Sequence, residues 1–239
     1  MSDATSLQAF QTAISAATAA GAKYQPTNSI LDLGKLQQAF TDAHAGLDDL
    51  NTIHIAEKLV INDREAGFIG SGVLATRLQA AVATSGASAQ DLADMKGFVR
   101  KVHGGRKKKL KIDDPNTPVD ESKHISVSQR GYSDVVEHYE NIIALLTGLG
   151  AAYKVNEVDL QIASVQTMVD GWAALNQSVI DAGIATSNAR TVKNGRIYND
   201  DDSLYERLRL MKFYFNQVFG SKSPEYKQIS GLEIKKHGK

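Results

Sequence analysis

The chain lacks cysteine, a net charge and any long apolar run, and each absence excludes a class of function. Without cysteine there can be no disulfide, thiolate metal site or cysteine nucleophile. The 239 residues have a formal net charge of +0 and a pI of about 7.0, so no overall field attracts nucleic acid or an anionic membrane. Any such binding would have to be local.

Features of membrane and secreted proteins are also missing. The longest uncharged apolar stretch, residues 142–153, is too short to cross a bilayer and contains Thr147 and two glycines. The first residues include Asp3 and no Lys or Arg before Lys23, which is unlike a secretory signal peptide. The sequence predicts a soluble, cytoplasmic protein without membrane insertion, and leaves open an export route that needs no signal peptide.

No motif for metal binding or catalysis is present. The six histidines form no His-x-x-x-His or His-Glu-x-x-His spacing, and Asp200, Asp201 and Asp202 lack the twelve-residue pattern of a calcium loop. The glycines at 67, 70 and 72 follow a predicted helix rather than a strand, and no Gly-Lys-Ser/Thr comes after them. We therefore predict no metal site, no cofactor and no enzymatic activity.

What the sequence does contain is an internal repeat. The segment MKGFVRKVHG at 95–104 occurs again as MKFYFNQVFG at 211–220. At an offset of 129, matching positions include Leu7 with Val136, Phe10 with Tyr139, Ile14 with Ile143 and Tyr24 with Tyr153. The first half carries two extra segments, about 79–93 and 106–121. We predict a first helical repeat at 1–105, a charged insertion loop at 106–124 and a second helical repeat at 125–239.

Apolar spacings of three and four predict a short, a long and a medium helix in each half. The predicted helices are 6–22, 29–68, 73–83 and 88–104, then 133–153, 156–198 and 204–219. Pairs of the capping type mark four of the starts: Ser29 with Asp32, Ser88 with Asp91, Asn156 with Asp159, and Ser203 with Glu206. Segments 123–129 and 226–234 are predicted as short strands.

A long amphipathic helix must cover its apolar stripe. Pairing the two long helices antiparallel, one from each half, covers most of both, and the shorter helices cover the ends. The sequence therefore predicts an all-α protein. It would be an elongated, four-helix-bundle-like rod with a pseudo-two-fold axis and a small two-stranded β cap.

Basic residues cluster at the end of the first half. They are Arg100, Lys101, Arg106, Lys107, Lys108, Lys109 and Lys111. Such a cluster could bind the phosphates of nucleic acid or another anion. The alternative is a solvated loop whose charge is balanced by Asp113, Asp114, Asp120 and Glu121, and the lack of interleaved aromatic residues favours this alternative.

Two polar pairs occur near matching places on the long helices: Asn62 with Arg64, and Asn188 with Arg190. One interpretation is hydrogen bonding between helices that fixes their register. The other is an anion site on the pseudo-symmetry axis, which an enzyme could use together with Arg77 and Arg207.

The second half, over 125–234, resembles an uncharacterised helical family of Bacteroidetes bacteria. The resemblance lies in Ile125-Ser-Val-Ser-Gln129, in Ser187-Asn-Ala-Arg190 with Asn194 and Tyr198, and in the segment 218–230, VFGSKSPEYKQIS. It implies a helical fold and no activity.

These features favour a non-catalytic helical-bundle protein that acts by association, as a self-assembling structural unit or a scaffold. The predicted partner is a second copy, in a homo-oligomer or filament, or another protein. The alternative function is nucleic-acid or anion binding through the basic segment.

Overall fold

The structure is a computed structural model and describes residues 2–104 and 131–235. All regular structure in these two ranges is helical, which confirms the all-α prediction. The described residues form eight α-helices: α1 Asp3–Ala20, α2 Leu33–Gly67, α3 Ser71–Thr84, α4 Ala89–Val102, α5 Tyr132–Leu149, α6 Ile162–Asn194, α7 Leu204–Phe219 and α8 Pro224–Ser230. Short 3-10 turns lie at Gly21–Lys23, Ser29–Leu31, Gly150–Ala152 and Val158–Leu160, and a π-helical turn at Gly195–Asn199 follows α6.

Side-chain caps fix the starts of several helices. Ser88 and Asp91 form the predicted capping box of α4. The hydroxyl of Ser203 accepts the backbone N–H of Glu206 at the start of α7, as the sequence predicts. The hydroxyl of Ser2 likewise accepts from Thr5 at the start of α1.

Three local predictions are wrong, namely the strand at 226–234 and the starting residues of the two long helices. Residues 226–234 are not a strand: Ser223 caps a helix, Pro224 occupies its first turn, and Ile229 is buried on the side that Tyr226 also occupies. The predicted partner strand at 123–129 lies outside the described residues. The two long helices also start later than predicted. Each is preceded by a 3-10 turn, of which the first is capped by the side chain of Asn28 rather than Ser29 and the second has no side-chain cap at its start.

The chain forms two compact units, and each unit takes segments from both halves of the sequence. Unit 1 comprises Met1–Lys58 and Asp181–Lys239. It contains α1, α7, α8 and parts of the two long helices. Its core includes Phe10, Leu36, Met211 and Phe215, each fully buried.

Unit 2 comprises Leu59–Ile180 and contains α3, α4, α5 and the remaining parts of α2 and α6. Its core includes Leu78, Met95 and Tyr139, all fully buried. Trp172 stacks on Phe68 with ring centres 5.1 Å apart, and its indole N–H donates to the carbonyl of Gly67 at 2.7 Å. This bond satisfies the indole inside an otherwise apolar cluster.

Structural elements recur at the offset of 129. Adding 129 to the bounds of α1 gives those of α5, and the same addition relates the 3-10 turns that follow them and the first residues of α2 and α6. Gly21 and Gly150 have φ angles of 53° and 52°, which favour glycine. The hydroxyl of Tyr24 donates to the Leu31 carbonyl at 2.8 Å, and that of Tyr153 to the Leu160 carbonyl at 2.9 Å.

Candidate functional site

The basic segment lies only partly within the described residues. Arg100 and Lys101 occupy the last turn of α4, where cations stabilise the negative end of the helix dipole. Arg100 is exposed and Lys101 is half-buried. Arg106, Lys107, Lys108, Lys109 and Lys111 lie outside the described residues, so the anion-binding site stays a prediction.

The two polar pairs belong to different units. Asn62 and Arg64 lie in unit 2, and Asn188 and Arg190 lie in unit 1. Three of the four side chains are exposed and only Arg64 is half-buried. Its guanidinium carbon lies 4.1 Å from the ring centre of Tyr132, the first residue of α5. This cation–π contact joins α2 to α5 and gives Arg64 a packing role.

Arg77 and Arg207, the other two arginines of the predicted anion site, each join a helix to a turn that precedes another helix. In unit 2, Arg77 forms a bidentate ion pair with Asp159, which raises the pKa of the guanidinium and lowers that of the carboxyl. In unit 1, Arg207 is buried, donates to the carbonyl of Ile30, and pairs with Asp202 at 2.9 Å. Each arginine therefore ties a helix to the 3-10 turn that precedes a long helix.

A buried polar cluster in unit 1 is absent from the sequence prediction. Lys193 near the end of α6 pairs with the carboxylate of Asp3 on α1 at 2.9 Å, and the lysine side chain is only 7% exposed. The hydroxyl of Tyr198 donates to the other oxygen of Asp3 at 2.6 Å and lies 3.4 Å from the hydroxyl of Ser6. Burial and the bond to Asp3 raise the pKa of Tyr198 to about 12.

We interpret this cluster as a clamp between α1 and the end of α6. Its charges are paired and its hydroxyls are bonded, as buried polar groups require. The sequence carries no spacing that points to it, because Asp3 and Lys193 lie 190 residues apart. At the offset of 129, Lys193 and Asp3 correspond to Arg64 and Tyr132, so each unit joins the start of a short helix to a long helix through a cation.

Glu57 and Thr186 form a contact between the long helices in unit 1. The Thr186 hydroxyl, on a side chain that is almost fully buried, donates to the Glu57 carboxylate at 2.7 Å. This bond, helped by His54 and Arg190, lowers the pKa of Glu57. The contact anchors one helix to the other and leaves the carboxylate ionised at neutral pH.

A groove between the long helices of unit 1 has a volume of about 330 Å³. We call it the long-helix groove. Ile53, Ala185, Ala189 and Val192 supply its apolar lining, and its polar lining includes Asp49, Asn188 and Arg196. Asn188, a member of the predicted polar pairs, lines this groove.

Within residues 2–104 and 131–235, no group of three or more His, Asp or Glu side chains is placed to hold a metal ion. One stretch, Leu33–Thr84, is apolar enough to cross a membrane, with an 18-residue window of mean hydropathy 1.2. The stretch contains the break between α2 and α3. Signal sequences and core helices of soluble proteins share this length and composition, so the localisation stays a prediction.

The fold and these contacts define an all-α protein whose charged side chains join helices to one another. No protein-family model, curated protein or solved structure matches the chain. The resemblance of residues 125–234 to a helical family therefore stays a prediction.

Proposed function

We propose that this protein is a non-catalytic helical-bundle protein that acts by association, as a self-assembling structural unit or a scaffold. The observation that carries the proposal is the exposure of large aliphatic side chains along the long helices. In unit 1, Ile55 is 59%, Ile184 55% and Val192 50% exposed. In unit 2, Leu59 and Ile180 are also more than half exposed. Covering such side chains with a partner surface is favourable.

The contacts that the charged side chains make within the fold support the same function. Arg77, Lys193 and Arg207 are each engaged with an acidic side chain that belongs to the fold. Arg64 packs on an aromatic ring. These contacts fix helices in place and account for Arg64, Arg77 and Arg207, three of the four arginines of the predicted anion site.

We also propose that the chain arose by internal duplication and that each unit is a four-helix-bundle-like assembly of helices from both halves. The recurrence of element bounds at 129 and the matched Tyr24 and Tyr153 bonds support this origin. The positions of Met95 and Met211, each fully buried in its own unit, also support it. A duplicated chain carries similar surfaces twice, which favours assembly.

Size-exclusion chromatography with light scattering over a concentration series tests association, followed by negative-stain microscopy. The full chain is expected to have a mass above that of the 25.8 kDa monomer. Replacing Ile55, Ile184 and Val192 together by Ser should lower that mass, because the apolar surface available to a partner is lost. The matched control is Val158→Ser, which removes an aliphatic side chain that is 70% exposed on a 3-10 turn.

A strict monomer at high concentration that also captures no partner in pull-down experiments would contradict the proposal. So would an oligomer whose mass is the same in the triple variant and in the wild type.

A further inference from the structure

The exposed side of α1 carries no charge. From Thr5 to Ala22 the sequence has no acidic or basic residue. The exposed side chains of this helix include Gln8, Gln11, Thr12, Ser15 and Thr18, which we call the α1 face. A groove of about 580 Å³ runs along it, and its other wall is formed by Gln37, Phe40 and Thr41 of α2. All residues that line this groove are uncharged.

The hydroxyl groups of this surface already have acceptors within their own helices. Those of Thr12, Ser15 and Thr18 donate to the backbone carbonyls four residues earlier, at 2.9, 3.1 and 2.9 Å. The Thr41 hydroxyl does the same on α2, at 3.0 Å. Covering the surface would therefore leave no hydroxyl donor without an acceptor, which removes a main cost of burying a polar surface.

The corresponding helix in unit 2, α5, carries acidic residues at positions where the α1 face is uncharged. At the offset of 129, Gln8 and Gln11 correspond to the exposed residues Glu137 and Glu140 of α5, and Thr41 corresponds to Asp170 of α6. Two copies of the α5 surface would repel each other, since both are acidic. Two copies of the α1 face would not. Charge depletion is also typical of the centre of protein–protein interfaces.

We propose that the α1 face, with the groove beside it, is the surface through which two copies of this chain pair about a two-fold axis. This inference rests on the proposed function and adds a surface separate from the exposed aliphatic side chains of the long helices, with a second copy as its partner. The Ile55/Ile184/Val192→Ser variant should therefore lose the larger assembly and still form this dimer. A two-fold interface must complement itself. The amides of Gln8 and Gln11 meet this condition, because each has both donors and an acceptor and can pair with an amide of the second copy. Phe40, half-buried at the groove, supplies an aromatic contact.

Site-directed cross-linking tests the surface directly, because the chain has no cysteine of its own. Ser15→Cys places a thiol on the α1 face, and Ala144→Cys places one at the corresponding exposed position of α5. With a short bis-maleimide, the Ser15→Cys full chain is expected to give a covalent dimer, and the Ala144→Cys chain is not.

Charge insertion tests the electrostatic argument. The double variant Gln8→Glu/Gln11→Glu gives α1 the residues that α5 has at the same two exposed positions. It is expected to raise the dimer dissociation constant about tenfold or more, because like charges then face each other across the axis. Added salt should reverse part of the loss. The reciprocal variant Glu137→Gln/Glu140→Gln should leave the dissociation constant unchanged.

The outcomes separate the two proposals. If the chain is an oligomer but Ser15→Cys gives no cross-link, or positions 15 and 144 cross-link equally, the α1 face is not the dimer surface. The proposed function is unaffected by that result. An unchanged dissociation constant in the Gln8→Glu/Gln11→Glu variant has the same two consequences. A wild-type chain that is monomeric at every concentration overturns the α1 face, and overturns the proposed function only if no partner protein is found.

Discussion

Removing the carboxylate of Asp3 should destabilise unit 1 strongly, although Asp3 lies in the first turn of the first helix. The Asp3→Ala variant leaves the ammonium of Lys193, on a side chain 7% exposed, without its carboxylate. Breaking a buried ion pair from one side costs about 3–5 kcal/mol. Because the Asp3 side chain is itself 23% exposed, water can reach part of the site. We therefore expect a loss of about 2–3 kcal/mol in the free energy of unfolding.

A double-mutant cycle separates this cost from simple loss of contacts. The Asp3→Ala/Lys193→Met variant removes both charges and keeps an apolar chain of similar length, so it should lose only about 1 kcal/mol. Urea unfolding followed by far-UV circular dichroism measures Asp3→Ala, Lys193→Met and the double variant, and the slope with denaturant should stay the same. If Asp3→Ala unfolds within about 0.5 kcal/mol of the wild type, or if the double variant loses the sum of the single losses, the interpretation as a clamp is wrong.

Three further outcomes follow from other contacts. Gly171→Ala should stabilise the protein by about 0.5–1 kcal/mol, because Gly171 lies within α6 and no atom is within 4 Å of the added carbon. Gly46→Val should destabilise the protein by about 2 kcal/mol, because Gly46 is packed against Arg196. Thermal unfolding measures both. The pKa of Tyr198 is raised to about 12, so the stability that this group contributes is complete below pH 10 and is lost as the pH rises through 12. Tyr198→Phe should therefore remove this pH-dependent loss of stability. Alkaline unfolding, followed by tyrosinate absorbance, measures it. Trp172→Phe should cost about 1–2 kcal/mol in urea unfolding, because the carbonyl that accepts the indole N–H loses its donor.

The two units join a short helix to a long helix through different side-chain contacts. Where α6 meets the start of α1, the cation of Lys193 finds a carboxylate. At the corresponding position of unit 2, the cation of Arg64 finds the ring of Tyr132. Both arrangements hold a short helix against a long one, and neither needs a ligand.

The periodicity of apolar residues determined most of the secondary structure. Spacings of three and four placed the helices to within a few residues, because a helix that buries one side must repeat its apolar residues at that interval. The same reasoning failed at residues 226–234, where an alternating pattern was compatible with a strand. The local caps at Ser223 and Pro224 decided in favour of a helix.

The candidate sites were less predictable. The residue types pair Asn62 and Arg64 with Asn188 and Arg190, yet the structure places the two pairs in different units. The position that corresponds to Arg64 is Lys193, which the prediction overlooked because its partner Asp3 lies 190 residues away. Ion pairs between distant residues leave no spacing that can be read along a chain.

The sequence by itself determined that this protein is helical, that its elements recur at an interval of 129, and that α1 carries no charge between Thr5 and Ala22. These properties depend on composition and on local hydrogen bonding, which neighbouring residues fix. Only the tertiary structure decided which segments form each unit and that Lys193 is buried beside Asp3. It also decided that the uncharged side of α1 remains exposed. Burial depends on which surfaces meet, and residues far apart in the chain decide that together.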